Sequence, residues 1–297
     1  MTGTGIFVYR EDAEGGGIDT DSPADASAVL SAVREDIRQT LRVGWIDPAI
    51  DAAAAFPVFF TAAWSAIRPN VGKTFLLLTR AVRSQAVETV RASLDPPDLR
   101  RRLESVLSDE ELRRVEDSAR AAHLASAKAQ IVVLALHRAA RRERIPGTGR
   151  EEPPIRRGVP DWQRWMSPQA PSESVRLALE EAMAVMGAAA PPMPLRLFSR
   201  WPGALDVLWG SLRDVVRSDP WRSGTSRVRR VGLSGISSLP HAVDLQWGAL
   251  KARGFQEEQR KHLVDVLAAH DAAMSSQTLA SAFAWAALGA PDIVGDG

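Results

Sequence analysis

Residues 56–68 read FPVFFTAAWSAIR, and residues 201–213 read WPGALDVLWGSLR. Both stretches have an aromatic residue before a proline, a tryptophan seven residues after it and a closing arginine, and the two copies are 145 positions apart. The tripeptide AAH, at residues 121–123 and again at 268–270, is a second echo at an offset of 147. The chain therefore contains two copies of one helical unit, which predicts a pseudo-dimer. Because small-molecule sites form where packed units meet, we expect a site between the repeats.

The spacing of apolar residues is helical along most of the chain. Between Ala24 and Val43 they recur at steps of three and four residues, with charged residues on the other face. Ser108 followed three residues later by Glu111 is the signature of a capping box at the start of a long helix. No segment alternates with a period of two for long enough to predict a sheet. The predicted fold class is therefore all-α.

Four segments follow from composition along the chain. Residues 1–21 lack the basic start and apolar block of a secretory signal and are predicted to form a flexible tail. Residues 22–141 form the first helical repeat. Residues 142–171 are rich in proline and glycine, so we interpret them as a linker. Residues 172–292 form the second repeat.

Composition limits the function classes. With 297 residues, 45% of them hydrophobic, the chain can bury a large core. Its 37 basic and 36 acidic residues nearly cancel, so neither nucleic acid nor an acidic membrane surface is an expected partner. The absence of cysteine excludes disulfides, thiol nucleophiles and cysteine-ligated metals, and it favours the cytoplasm. Asp51 and Pro57 interrupt the longest apolar stretch, so no transmembrane helix is predicted. A monomer and a homodimer both remain open.

Residues 35–45, which read EDIRQTLRVGW, carry a family resemblance together with the Phe56-Pro57 pair and the tryptophan of the next helix. This segment resembles the first repeat of the group I 2-haloacid dehalogenases. Trp201-Pro202 and the segment VLAAH at residues 266–270 resemble the second repeat. The resemblance spans about residues 25 to 290. It implies an all-helical chain of two repeats with the active site between them, where an activated water attacks C2 of a haloacid directly.

The resemblance also implies that the site has been rebuilt. The position of the family's water-activating aspartate is occupied by Pro194, which carries no base. The family's water-positioning asparagine aligns with His123, and its pocket tyrosine aligns with His270. The pocket tryptophan is kept as Trp45, while the pocket aromatic three residues later is Pro48.

The two histidines and one aspartate are the predicted catalytic residues. His123 and His270 occupy equivalent positions in the repeats, and imidazoles can donate and accept protons near neutral pH. Asp47 could orient one imidazole or replace the missing carboxylate, although its simpler role is to form the turn before Pro48. The three side chains could together hold Zn or Fe, but no closely spaced ligand pair is visible, so no cofactor is expected.

Six residues are predicted to bind the substrate. Arg196 is a candidate for pairing with a substrate carboxylate, with a surface salt bridge as the alternative. The paired tryptophans of the repeats could line the pocket or belong to the core. The set comprises Trp45, Pro48, Trp64, Pro194, Arg196 and Trp209.

Three functions remain in competition. The first is an enzyme that acts on a small acidic or acyl-bearing substrate by histidine acid–base chemistry, through isomerisation, elimination, cyclisation or hydrolysis. The second is a true 2-haloacid dehalogenase in which Asp47 or His123 activates water. The third is a small-molecule binding protein without catalysis, which the proline at position 194 favours.

Overall fold

The computed structural model describes residues 23–153, 155–166 and 170–290, and within these ranges the chain forms twelve α-helices. The helices of the first half are α1 (Pro23–Leu41), α2 (Pro48–Asp51), α3 (Pro57–Ile67), α4 (Lys73–Ser93), α5 (Leu99–Leu103) and α6 (Asp109–Ala140). Those of the second half are α7 (Glu173–Met186), α8 (Met193–Phe198), α9 (Pro202–Leu212), α10 (Asp219–Gly235), α11 (Trp247–Ala252) and α12 (Glu257–Ala287). The predicted tail at residues 1–21 and the last two residues assigned to the second repeat lie outside the described residues.

The all-α prediction is confirmed. The described residues contain no strand, and the isolated bridge between Ile145 and Val243 is a single β pairing. Ser108 caps α6 as predicted: the Glu111 backbone N–H lies 3.4 Å from Ser108 Oγ, and the Ser108 backbone N–H lies 2.9 Å from Glu111 Oε2. No helix in the described ranges combines the length and apolarity that crossing a bilayer requires.

The two halves have the same order of helices. In each, a short helix follows the first one, the third begins at a proline and has 11 residues, and the sixth has 32 or 31 residues. The residue before each proline is not helical, with φ of −123° at Phe56 and −124° at Trp201. Proline imposes this break because it disfavours helical backbone in its predecessor. This correspondence supports the predicted internal repeat.

One hydrogen bond occurs in both halves. The indole N–H of Trp64, on α3, donates to Asp36 Oδ2 on α1 at 2.7 Å. The indole N–H of Trp209, on α9, donates to Glu181 Oε2 on α7 at 2.9 Å. Both indoles are buried and belong to the packing between the first and third helices of their half.

Removing either indole N–H tests whether the two halves are energetically alike. We expect Trp64→Phe and Trp209→Phe each to lower the free energy of unfolding by about 1 kcal/mol, the usual net value of one hydrogen bond, in addition to any loss of packing. Urea denaturation measures both values. The double variant Glu181→Gln/Trp209→Phe should lose less free energy of unfolding than the sum of the losses in the two single variants. Strict additivity would show that this bond contributes nothing.

The long helices α6 and α12 form an antiparallel pair at the centre of the molecule. Three contacts fix their register: His123 lies against Trp285, Gln130 against Thr278 and His137 against Asp271. At the middle contact, Gln130 Oε1 accepts from Thr278 Oγ1 at 2.8 Å, and its Nε2 donates to Ser275 Oγ at 3.0 Å. These buried groups are mutually satisfied, which ties the register to specific side chains.

The linker contacts the second repeat near Ile145, and its later residues pack against the first repeat. Within its described residues it forms no α-helix, only a 3₁₀ turn at Asp161–Gln163. Gln163 is buried, and its Oε1 accepts the backbone N–H of Gly44 at 3.0 Å. A Cβ at position 44 would lie 2.5 Å from the Gln163 carbonyl oxygen, so this close approach requires glycine. The linker is therefore part of the wall around the loop that contains Trp45.

Candidate active site

The Asp47 side chain caps the start of α2. Its carboxylate accepts the backbone N–H of Ala49 at 2.9 Å, and Pro48 occupies the first helical position, where no N–H is needed. The capping role predicted for Asp47 is thus confirmed. The residue is only 6% exposed. A buried carboxylate whose recorded partner is a single backbone N–H keeps acceptor capacity for a ligand or a water.

A small cavity adjoins Asp47. Its volume is about 10 Å³, close to the minimum for one water molecule. Apart from Asp47 its lining is apolar or aromatic: Ile37, Leu41, Val43, Trp45, Ile46, Ile50, Ala125 and Ala129. The indole Nε1 of Trp45 is buried and has no hydrogen-bond partner among the described residues. The loop thus supplies a carboxylate acceptor and an unsatisfied N–H donor beside a space of the size of one water.

Burial raises the pKa of Asp47 to about 6, because the charged form loses its hydration. The Ala49 N–H and the positive charge of Arg196 act in the opposite direction and limit the rise. A carboxyl with a pKa near 6 is ionised at neutral pH yet binds a proton more strongly than an exposed aspartate. These are the properties of a general base.

An open cleft of about 940 Å³ lies on the outer side of the same loop. Trp45 and Ile46 line both the cleft and the small cavity, so they form the wall between them. The cleft also contains Pro48 and four arginines, at positions 34, 38, 164 and 196. The structure therefore brings together Trp45, Pro48 and Arg196 from the predicted substrate-binding set, with Asp47 behind them.

The arginines of this cleft differ in their partners. Arg34 pairs with Asp51 at 2.6 Å, and Arg38 pairs with Glu35 at 2.9 Å. No acidic side chain of the described residues lies within ion-pair distance of Arg196, which comes from α8 of the second half. Arg196 is therefore the cation best able to bind an incoming carboxylate.

His123 lies on another side of α6. It is buried, and its ring stacks on Trp285 with the centroids 6.0 Å apart and the planes at 5°. Burial, with a smaller contribution from the charge of Arg83, lowers the pKa of His123 to about 3. Ala125 lines the Asp47 cavity, but His123 points elsewhere because two residues correspond to more than half a turn of helix. His123 is thus neutral and outside that cavity.

The predicted histidine pair does not form. The register of α6 and α12 places His123 opposite Trp285, whereas His270 neighbours Asp271, which contacts His137. At 1.5 Å per residue, the two imidazoles are roughly 20 Å apart along the helices. One small substrate cannot touch both, and these residues cannot share a metal ion with Asp47. His270 is itself buried, which lowers its pKa.

Three further predicted binding residues are buried away from the cleft. Trp64 and Trp209 belong to the packing of α3 and α9 and line neither the cleft nor the Asp47 cavity, so a pocket role for them is not supported. Pro194 lies buried in the first turn of α8. In the repeated scaffold α8 corresponds to α2, and the residue at its N-cap is Pro192 where the first half has Asp47.

Sequence reasoning missed two features of this site. The orphan indole N–H of Trp45 depends on three-dimensional packing, which no sequence pattern reports. Arg164 and Gln163 reach the site from the linker, whose irregular backbone has no periodicity to read. The Asp47-Pro48 dipeptide was the available signal for the site, since it predicts a capped helix start two residues after Trp45.

Comparisons with known proteins agree with this fold. No family model matches the chain. A configuration-inverting 2-haloacid dehalogenase from Pseudomonas sp. (strain 113) is 24% identical over 245 residues, which are 78% of this chain and 79% of the relative. Solved structures of a D-2-haloacid dehalogenase mutant with D-2-CPA and of a D-2-haloacid dehalogenase with L-LA superpose with a TM-score of 0.79 at 18% identity. They cover 87% of this chain and 91% and 92% of theirs. The resemblance predicted from sequence is confirmed, and the fold is that of the all-helical 2-haloacid dehalogenases.

Proposed function

We propose that this chain, which has the all-helical 2-haloacid dehalogenase fold, releases halide from 2-haloalkanoic acids by direct attack of water. The observation that carries the proposal is the buried Asp47 carboxylate beside a cavity that fits one water, behind an arginine-lined cleft. In this proposal Asp47 is the general base, Trp45 helps to hold the water, and Arg196 binds the substrate carboxylate.

The cleft suits a small monoanion. Arg196 can bind a carboxylate through two parallel N–H···O contacts, which fixes the orientation of the attached C2. Trp45 supplies an apolar surface next to it for the alkyl group and the halogen. Ile46 is half-buried and lies between the cleft and the small cavity, so in this proposal its side chain moves aside to bring C2 and the water into contact.

The reaction requires the substrate, one water molecule and the Asp47 carboxylate. Asp47 takes a proton from the water as the water oxygen forms a bond to C2. The carbon–halogen bond breaks, and the halide leaves with the electron pair. Attack from the side opposite to the halogen inverts C2 and gives a 2-hydroxy acid. The proton on Asp47 then passes to solvent, which regenerates the base.

The repeated scaffold accounts for a base at position 47. Asp47 caps α2, and the N-cap of the corresponding helix of the second half, α8, is Pro192. Pro194, where the resembled family has its aspartate, lies within α8. We infer that the base lies near the equivalent place in the other half, two residues before Ala49, which is the counterpart of Pro194 at an offset of 145. Histidine chemistry is not proposed, because His123 and His270 are far apart.

The direct test is halide release from the separate enantiomers of 2-chloropropionate and 2-bromopropionate, with chiral analysis of the lactate formed. The proposal predicts halide and lactate in equal amounts, with inverted configuration. Release with retention would contradict direct attack by water. Saturable binding of 2-chloropropionate without any halide over hours would instead support the binding-protein function.

The raised pKa of Asp47 predicts the pH dependence of this reaction. A general base works only when it is ionised, so kcat/KM should fall about tenfold for each pH unit below about 6 and be level above it. Initial rates of halide release from about pH 4.5 to 8 measure the profile, with circular dichroism to show that the chain stays folded. A midpoint near that of an exposed aspartate would exclude a buried base.

A further inference from the structure

A second cavity, of about 500 Å³, lies between the linker, α6 and the end of α1. Its lining has a strong excess of positive charge, because it includes six cationic side chains and one acidic one, Asp161. The cationic residues are Arg42, Arg120, Lys128, Arg156, Arg157 and Arg164. This concentration contrasts with the net charge of +1 of the whole chain. We call this space the linker cavity.

Nearby acids neutralise only part of this charge. Arg164 pairs with Asp161 at 3.0 Å, and Arg157 forms an ion pair with Asp36, which lies outside the lining. Asp117, also outside, is close enough to Arg120 for that charge to oppose the rise that burial causes in the pKa of Asp117. Even with these two included, and with Lys128 left out of the count, three acids face five arginines among the described residues around the cavity.

The cations are held by the fold rather than spread on a free surface. Lys128 is 4% exposed, and its Nζ donates to the Leu41 carbonyl at 3.0 Å. The guanidinium of Arg120 lies 4.8 Å from the centre of the Trp162 ring. Arg42 has φ of +56°, a left-handed conformation that costs energy for a residue with a Cβ.

Two of these arginines contain buried donors that the protein itself does not satisfy. The Nε atoms of Arg42 and Arg120 are buried and have no hydrogen-bond partner among the described residues. A buried donor without an acceptor is destabilising. The fold thus keeps these two arginines at the cavity at a cost in stability, which a site built for anions would explain.

We propose that the linker cavity binds a compact oxyanion with at least two negative charges, the chemistry shared by phosphate esters and polycarboxylates. Guanidinium groups match the planar oxygens of both. The excess of the five arginines over the three acids is two positive charges, which is larger than a monoanionic 2-haloacid would neutralise, so this ligand differs from the proposed substrate. Gly44 and Gln163 form a wall toward the cleft, and Arg164 lines both spaces.

Calorimetric titration of the full chain tests the proposal without any enzymatic readout. Pyrophosphate and citrate are the probes, at a constant ionic strength of about 0.15 M, with chloride and acetate as reference anions. We expect saturable binding of one pyrophosphate or one citrate per chain and a raised Tm at saturation. Tighter binding of pyrophosphate would identify phosphate esters, and tighter binding of citrate would identify polycarboxylates.

Matched variants separate a built site from general charge attraction. Arg120→Gln/Arg156→Gln should weaken binding of the preferred probe at least about tenfold. Arg101→Gln/Arg253→Gln removes the same charge from two exposed residues that do not line the cavity, and it should change the Kd by less than about twofold. If the first variant unfolds, Arg156→Gln alone, at an exposed position, should still weaken binding about threefold. Absence of saturable binding of both probes, or equal losses in the two double variants, would overturn the proposal.

Discussion

Asp47→Asn is expected to lower kcat for halide release at least about 100-fold, the usual contribution of a positioned general base. The amide has nearly the same shape as the carboxylate but cannot accept a proton from water. Asparagine is as good an N-cap as aspartate, so the Ala49 N–H keeps its acceptor and the start of α2 is preserved. Single-turnover halide release, with thermal unfolding of the same sample, separates lost chemistry from lost fold.

Asp51→Asn is the matched control for this change. Asp51 lies in the same short helix and lines the cleft, but its side chain is about two-fifths exposed and pairs with Arg34. We expect the kcat of the Asp51→Asn variant to remain within about threefold of the wild type, since an exposed ion pair contributes little to the stability of the folded chain. Equal losses in the two variants would show that negative charge near the cleft, rather than a base at position 47, governs the rate. Full activity of Asp47→Asn would exclude Asp47 as the base.

Local sequence signals predicted most of the scaffold. Pro57 and Pro202 fix the starts of equivalent helices because proline imposes its backbone geometry without help from tertiary contacts. The capping box at Ser108 is equally local. The family resemblance added what local rules could not, namely the fold that these helices form together and the expectation of a site between two halves. The linker cavity was missed because irregular backbone brings its arginines together, and no periodic pattern encodes that.

The histidine pair shows where repeat reasoning fails. Equivalent residues of two antiparallel helices lie at equal distances from the centre of the contact, on opposite sides of it. They approach each other only near that centre, where Gln130 meets Thr278. His123 and His270 lie toward opposite ends. Equivalent positions in the two repeats therefore did not show that His123 and His270 are close together. That distance depends on the register of α6 and α12.

Asp47 and Trp45 were predictable for the opposite reason. They are close in sequence, on one loop that also begins a capped helix, so local geometry brings them to the same place. What sequence could not provide is the environment that makes Asp47 a candidate for the base. Residues from α1 and α6 close the cavity around it, and this burial is the main cause of the raised pKa of Asp47.

His123→Leu is expected to make the protein less sensitive to acid. The folded chain holds the pKa of His123 at about 3, against 6.5 for an ordinary histidine, so below pH 6.5 the unfolded chain takes up a proton that the folded chain does not. Stability is then lost at about 1.4 kcal/mol for each pH unit between 6.5 and 3. From pH 7 to pH 5, the wild type should lose about 2 kcal/mol more than His123→Leu.

Urea denaturation at the two pH values measures this difference, and the comparison isolates His123. Asp47 has the opposite effect, because its raised pKa lets the folded chain bind a proton at a higher pH than the unfolded chain does. The lowered pKa of Asp271 has the same effect as that of His123, so its contribution to the stability of the folded chain falls as the pH falls. Both groups are present in wild type and variant, so their contributions cancel. His241→Leu, at an exposed position, should leave the wild-type pH dependence in place. An unchanged dependence in His123→Leu would mean that the folded protein accommodates a charged imidazole beside Trp285, and its neutral, structural role would have to be abandoned.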